Sequence, residues 1–183
     1  MKRRTFLERA AAAGLALSIA PYPSLSNSQS IGINLFSLPK VLESDFGKGL
    51  EMLSKMGYKE IEMYGPYSFS DERAKTRWKT LEPLVGFTGS GFFGHTSQEV
   101  HSMMEANGLK VPSLHTDLDT LTHHMGSLAE AANILGSTYV VLPAIPDKER
   151  KNLDAYNIMA ERFNRIGEDA KANGIRFAYH NHG

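Results

Sequence analysis

Five short apolar runs, beginning near residues 31, 59, 110, 138 and 175, alternate along the chain with longer stretches of helical periodicity. Strands separated by whole helices cannot pair through hairpins, so the alternation predicts a parallel sheet built from βα units. The run over 31–36 interleaves Gly32 and Asn34 with apolar residues, and 59–64 and 111–115 alternate at period two. The run over 139–142 is apolar and bounded by Pro143, and 175–179 is the fifth strand. Phe46, Leu50, Leu53 and Met56 fall at helical spacing and predict a helix over 43–56, stopped by Gly57. Thr96, three residues before Glu99, starts a second helix with a capping-box pattern that ends near Asn107-Gly108. Further helices are predicted over 122–135 and 153–172, closed by Gly136 and by Asn173-Gly174.

The segment 66–95 breaks this rhythm. It holds the only Trp, Trp78, a charged stretch over 71–79 and a Gly/Phe-rich run over 86–94. It follows strand two, so it reads as a βα loop on the face where barrels build active sites. The Gly-rich run reads as a flexible lid; a phosphate loop would need a following Gly-Lys-Ser/Thr and a helix opening on it.

Composition narrows the function classes. With no Cys, disulfide frameworks, zinc-cysteine sites and thiol catalysis are excluded. The first thirty residues take four of the 20 basic and one of the 20 acidic side chains, leaving 16 against 19 in residues 31–183. A net charge of about −3 gives that part no electrostatic reason to follow a phosphate backbone, so nucleic acid is not an expected partner.

Those first thirty residues run from Lys2-Arg3-Arg4 and Phe6-Leu7 through an Ala-rich stretch over 10–20 to a Pro/Ser/Asn stretch over 21–30. The order is that of an export signal, and the paired arginines resemble the twin-arginine type. The expected domain plan is a signal over 1–30 and a βα domain over 31–183. The expected partner of the signal is the twin-arginine export machinery, and the expected location is the periplasm. Cleavage after Ala20 is opposed by Pro21, which leaves Ser26 and Ser30 as alternatives.

In a barrel one parity of each strand faces the interior. Parity sets Ile61 and Met63 apart from Glu62 and Tyr64, Pro112 and Leu114 from His115 and Asp117, and Phe177 and Tyr179 from His180 and His182. The interior set is therefore Asn34, Glu62, Tyr64, His115, Asp117, His180 and His182. Buried polar groups are costly unless paired or liganded, so their convergence near the strand ends predicts a site. Glu62 and His115 are the catalytic candidates, and Asn34, Tyr64, Asp117 and His182 the candidates for holding substrate. His180, sharing one side of an extended strand with His182, is the candidate ligand of a metal or an oxyanion. Glu62 has a second reading, as a buried partner of Arg176. His123-His124 at a helix start and the charged loop 147–151 read as exposed surface.

The segments Gly32-Ile33-Asn34-Leu35-Phe36, Ile61-Glu62-Met63-Tyr64-Gly65, Asn107-Gly108-Leu109-Lys110-Val111-Pro112 and Phe177-Ala178-Tyr179-His180-Asn181-His182-Gly183 together carry a resemblance. In their order and spacing the chain resembles the sugar phosphate isomerase/epimerase family of xylose isomerase-like TIM barrels. The resemblance implies an α/β (β/α)8 barrel stopping after its fifth strand, since a closed barrel takes ~250 residues. Self-assembly of half-barrels into a homo-oligomer is the alternative. It also implies a divalent metal ion (Mn, Zn, Co or Mg) and proton transfer next to the carbonyl of a sugar or polyol. In that family the strand-five ligand is a Glu, where this sequence has His180, and the other ligands would follow Gly183. Two functions therefore compete: a metal-dependent isomerase or epimerase, and an exported carbohydrate-binding barrel without catalysis. An endonuclease-type barrel is disfavoured by the acidic charge.

Overall fold

Asn34, Glu62 and Ser113 stand side by side because three parallel strands meet in register. The computed structural model describes residues 30–181; most of the expected export signal, and His182, lie outside them. Five strands, β1 (Gly32–Asn34), β2 (Glu60–Tyr64), β3 (Lys110–His115), β4 (Tyr139–Leu142) and β5 (Arg176–Tyr179), form one parallel sheet in sequence order. Register pairs Asn34 with Glu62 and Glu62 with Ser113, and one layer further on Tyr64 with His115 and His115 with Val141. The opposite parity supplies the core: Ile61, Met63, Leu114 and Val140 are fully buried. The period-two reading holds for β2 but not throughout: Val111, on the parity of His115, is buried beside a register shift, and Tyr179, on the expected core side of β5, is exposed.

Seven helices follow in the described residues: α1 (Pro39–Ser44), α2 (Phe46–Lys55), α3 (Glu72–Val85), α4 (Ser97–Ala106), α5 (Leu118–His123), α6 (Met125–Leu135) and α7 (Leu153–Ala172). Thr96 and Glu99 complete the expected capping box at α4. The single helix expected over 43–56 is two, because Pro39 opens α1 and the extended Asp45 caps α2 through Lys48 N–H at 2.9 Å. The helix expected from residue 122 starts earlier, at Leu118, under an Asp117 cap, and breaks at His124 before α6. His123 therefore ends α5 instead of opening a helix, and it is exposed.

The larger departure is α3, fourteen residues inside the segment read as a loop. Its start is specified locally, with Asp71 Oδ1 accepting from Arg73 N–H at 2.9 Å and Glu72 in the first turn. Gly86, at φ 75°, stops it. Only Ala74 is buried on it, so the apolar stripe on which a periodicity reading depends is missing. Among the described residues no helix is long and apolar enough to cross a membrane.

Candidate functional site

The C-terminal ends of the strands open into a cavity of about 640 Å³ that Asn34, Glu62, Tyr64, His115, Asp117 and His180 all line. Glu62 is its polar hub. Its Oε2 accepts from Asn34 Nδ2 at 2.8 Å and its Oε1 from Ser113 Oγ at 2.7 Å. His115 Nε2 lies 3.2 Å from the same Oε2, and Nδ1 lies 3.4 Å from Asn34 Nδ2. The Nε2 contact has ion-pair distance but not hydrogen-bond alignment, and that buried nitrogen has no hydrogen-bond partner. Burial pushes the Glu62 carboxyl up, but contacts from His115, Ser113 and Asn34 outweigh it and bring the pKa down to about 2. The aligned Ser113 and Asn34 bonds are the secure part of that lowering. Glu62 is therefore an anion at neutral pH. The alternative partner, Arg176, lies instead 3.5 Å from the Tyr139 hydroxyl.

The other candidates divide by what holds them. Tyr64 donates its hydroxyl to Gly89 O at 2.8 Å, and burial, with Glu43 nearby, raises its pKa well above the ordinary value. It remains a neutral side chain tied to the 86–94 run. Asp117 lines the cavity while both carboxylate oxygens engage Thr120, at 2.9 Å to the amide and 2.5 Å to the hydroxyl. His180 is exposed at the end of β5, its ring 5.5 Å from that of His115 in an edge-on arrangement. His124, expected on the surface, is 3.6 Å from Asp71.

The Gly/Phe-rich run is fastened to the barrel mouth. Glu43 Oε1 accepts from the amides of Thr88 at 3.0 Å and Gly89 at 3.1 Å and from the Thr88 hydroxyl, and Gly91 N–H donates to Tyr64 O at 2.8 Å. Trp78 and Phe36 also line the cavity; Phe36 shares the parity of Asn34 but is apolar, so a search for polar side chains passes it over, and Trp78 lies outside the strands. Phe36 sits in the turn after β1 and Trp78 on the unanticipated α3. The signal available was that Trp78 is the only Trp in the chain.

An ion at His180 would need companion donors. Among the described residues no three His, Asp or Glu stand together in a way that could hold a metal ion. The described site does not fit a metal by itself.

No protein-family model matches the chain, and no curated protein sequence matches it. Solved structures do match. A sugar phosphate isomerase/epimerase from Parabacteroides distasonis superposes with a TM-score of 0.62 at 26% identity, over 87% of this chain and 53% of that one. A second Parabacteroides distasonis sugar phosphate isomerase/epimerase gives 0.63 at 21% identity, over 84% and 55%. A xylose isomerase domain containing protein from Salmonella typhimurium gives 0.53 at 12% identity, over 81% and 47%. The fold is that of a xylose isomerase-like TIM barrel. The chain spans about half the length of these structures.

Proposed function

We propose that the site binds a sugar or polyol and moves a proton next to its carbonyl, as an isomerase or epimerase does. The observation that carries this reading is the Glu62–His115 pair, set with Asn34 and Ser113 at the strand ends of a cavity sized for a small molecule. A carboxylate with a pKa near 2 is a weak base at neutral pH, so Glu62 acts as the positioning anion. It keeps the imidazole of His115 oriented and steadies the positive charge that forms on it. His115 takes the proton from the hydroxyl-bearing carbon beside the carbonyl, leaving an enediolate. Isomerisation is completed when the imidazolium returns that proton to the former carbonyl carbon while the neighbouring hydroxyl proton passes to the former carbonyl oxygen. Epimerisation is completed when a solvent proton reaches the original carbon from the opposite face and the imidazolium gives up its own proton to solvent. The similarity to sugar phosphate isomerase/epimerases supports the reaction class.

The proton transfer uses Glu62 and His115 alone, since no trio of metal donors stands among the described residues. Metal analysis of the purified chain tests metal binding separately. A stoichiometric ion lost in His180→Ala and retained in His123→Ala would establish a strand-five ligand.

Solvent-deuterium incorporation tests the chemistry. Sugars incubated in D2O with the chain should gain deuterium next to the carbonyl. His115→Gln should slow this by about 10²-fold or more, the usual scale of acid–base catalysis, while His123→Ala leaves it unchanged. Sugar binding without any exchange would replace the enzyme by an exported carbohydrate-binding barrel.

We also place the protein in the periplasm by the twin-arginine route, on the strength of Arg3-Arg4 and the Ala-rich run. Changing both arginines to Lys should hold the precursor in the cytoplasm; undiminished export removes the assignment.

A further inference from the structure

Charge is unevenly placed around the cavity. Its lining includes two carboxylates, Glu62 and Asp117, and a single permanent cation, Arg77. α3 lines the cavity with Ala74, Arg77, Trp78 and Leu81, the i, i+3, i+4 and i+7 positions of one helical face. The cation therefore stands on the side that α3 turns to the cavity, among apolar neighbours. The two carboxylates are already engaged, Glu62 with Asn34 and Ser113, and Asp117 with Thr120. Arg77 is held more loosely. Its Nη2 lies 3.6 Å from Asp119 Oδ2, longer than a hydrogen bond, and Asp119 is shared with Arg73 Nη1, also at 3.6 Å. Arg73 has a closer partner in Asp71, at 3.1 Å. The Arg77 side chain is 54% exposed, which leaves its donor fork accessible. A guanidinium only donates, and its planar fork matches a carboxylate through two parallel bonds.

We infer that Arg77 binds a carboxylate of the substrate, which makes the substrate class of this site a sugar acid. The inference rests on the proposed proton transfer and adds what the other end of the substrate carries. Glu62 and His115, from β2 and β3, serve the carbonyl end; α3 serves the acid end. One guanidinium, partly neutralised by Asp119, suits a monoanion. A phosphate dianion would bring a second negative charge beside Glu62 and Asp117, with no further Lys or Arg among the described residues that line the cavity.

D-Glucose, D-glucuronate and D-glucose 6-phosphate share one carbonyl end and differ only at the far carbon, as hydroxymethyl, carboxylate and phosphate ester. Each is titrated calorimetrically into the full chain and incubated with it in D2O. D-Glucuronate should bind about tenfold tighter than D-glucose, the scale of a charge-assisted contact at an exposed guanidinium. Added salt should shrink that advantage. Arg77→Gln should abolish it, and Arg77→Lys, which keeps the charge but loses the fork, should retain only part of it. Asp119→Asn, which releases the guanidinium, should widen it and also covers the case in which Arg77→Gln does not fold. A purely structural ion pair would instead make Arg77→Gln and Asp119→Asn behave alike. Equal affinity for D-glucose and D-glucuronate, tighter binding of the phosphate than of the carboxylate, an undiminished advantage in folded Arg77→Gln, or a reduced one in Asp119→Asn overturns the inference. Deuterium exchange into any of the three compounds then leaves the proposed function standing. No binding and no exchange with any of them overturns both.

Discussion

Glu62 is 28% exposed at its side chain, and it is the residue whose chemistry most depends on its neighbours. Its carboxyl falls from the ordinary 4.5 to about 2, so its ionised form is favoured by the folded state. A carboxyl with a lowered folded pKa contributes stability that is present above the unfolded value and lost as pH falls through the folded one. Glu62→Gln should therefore destabilise the protein at pH 7 by on the order of 2–3 kcal/mol. The gap to the native protein should close between pH 4.5 and 2. Denaturant titrations of both proteins across that range check this, and a gap constant with pH would show that the loss is one of packing. Other carboxylates held low, Glu43, Asp45, Asp71 and Glu99, sit at helix or loop anchors in both proteins and cancel in the difference. Glu62 and His115 were legible as candidates because period-two alternation puts them on one face. Which oxygen meets which donor was not, since Asn34 and Ser113 lie 28 and 51 residues away in sequence.

At the scale of elements, the 86–94 run shows how a Gly-rich stretch becomes a built part of a site. Gly91 has φ 59°, and a Cβ there would stand 2.6 Å from Pro66 O and 2.9 Å from Tyr67 Cα. Both obstacles are backbone, so nothing small can move aside. Gly91→Ala should lose roughly 2–4 kcal/mol from combined overpacking and a left-handed backbone. It should also loosen the anchor that Gly91 N–H makes to β2. Thermal unfolding measures the first effect, and Trp78 emission, through its bond to Thr88, reports the second. A variant as stable as the parent, with an unchanged spectrum, would mean the loop takes up another conformation at no cost. The same stretch marks where sequence periodicity ended. Gly residues suggested mobility, whereas Glu43, 45 residues away from Thr88, supplies the acceptor that fastens it. In α3 the cap and stop signals were present, but a helix burying only Ala74 carries too little apolar repeat to be read.

Across the described residues, β1 and β5 each pair with one neighbour. Ile31 beside β1, Leu153, Tyr156 and Ile158 on or at the start of α7, and Tyr179 on β5 are exposed large apolar side chains near those two strands. A polypeptide of residues 31–183 by itself would present both strand edges with those apolar flanks, which favours association, so light scattering of it should give a dimer or larger species. A monodisperse monomer with a cooperative unfolding transition would count against this. What the amino-acid order determined by itself was local or periodic: five strands, the two faces of β2, the capping box at Thr96, the longest helix over Leu153–Ala172, and hence an α/β parallel sheet. Each follows from interactions within a few residues, or from which side of a pleat must leave water. What only the tertiary structure decided was which of the inward residues meet. Strand register brings Asn34, Glu62, Ser113 and His115 into one hydrogen-bonded group, a helix without an apolar stripe delivers Trp78 to the cavity, and Thr120 draws Asp117 into a cap. Those contacts depend on the relative placement of distant segments, which the periodicity of any one segment does not encode.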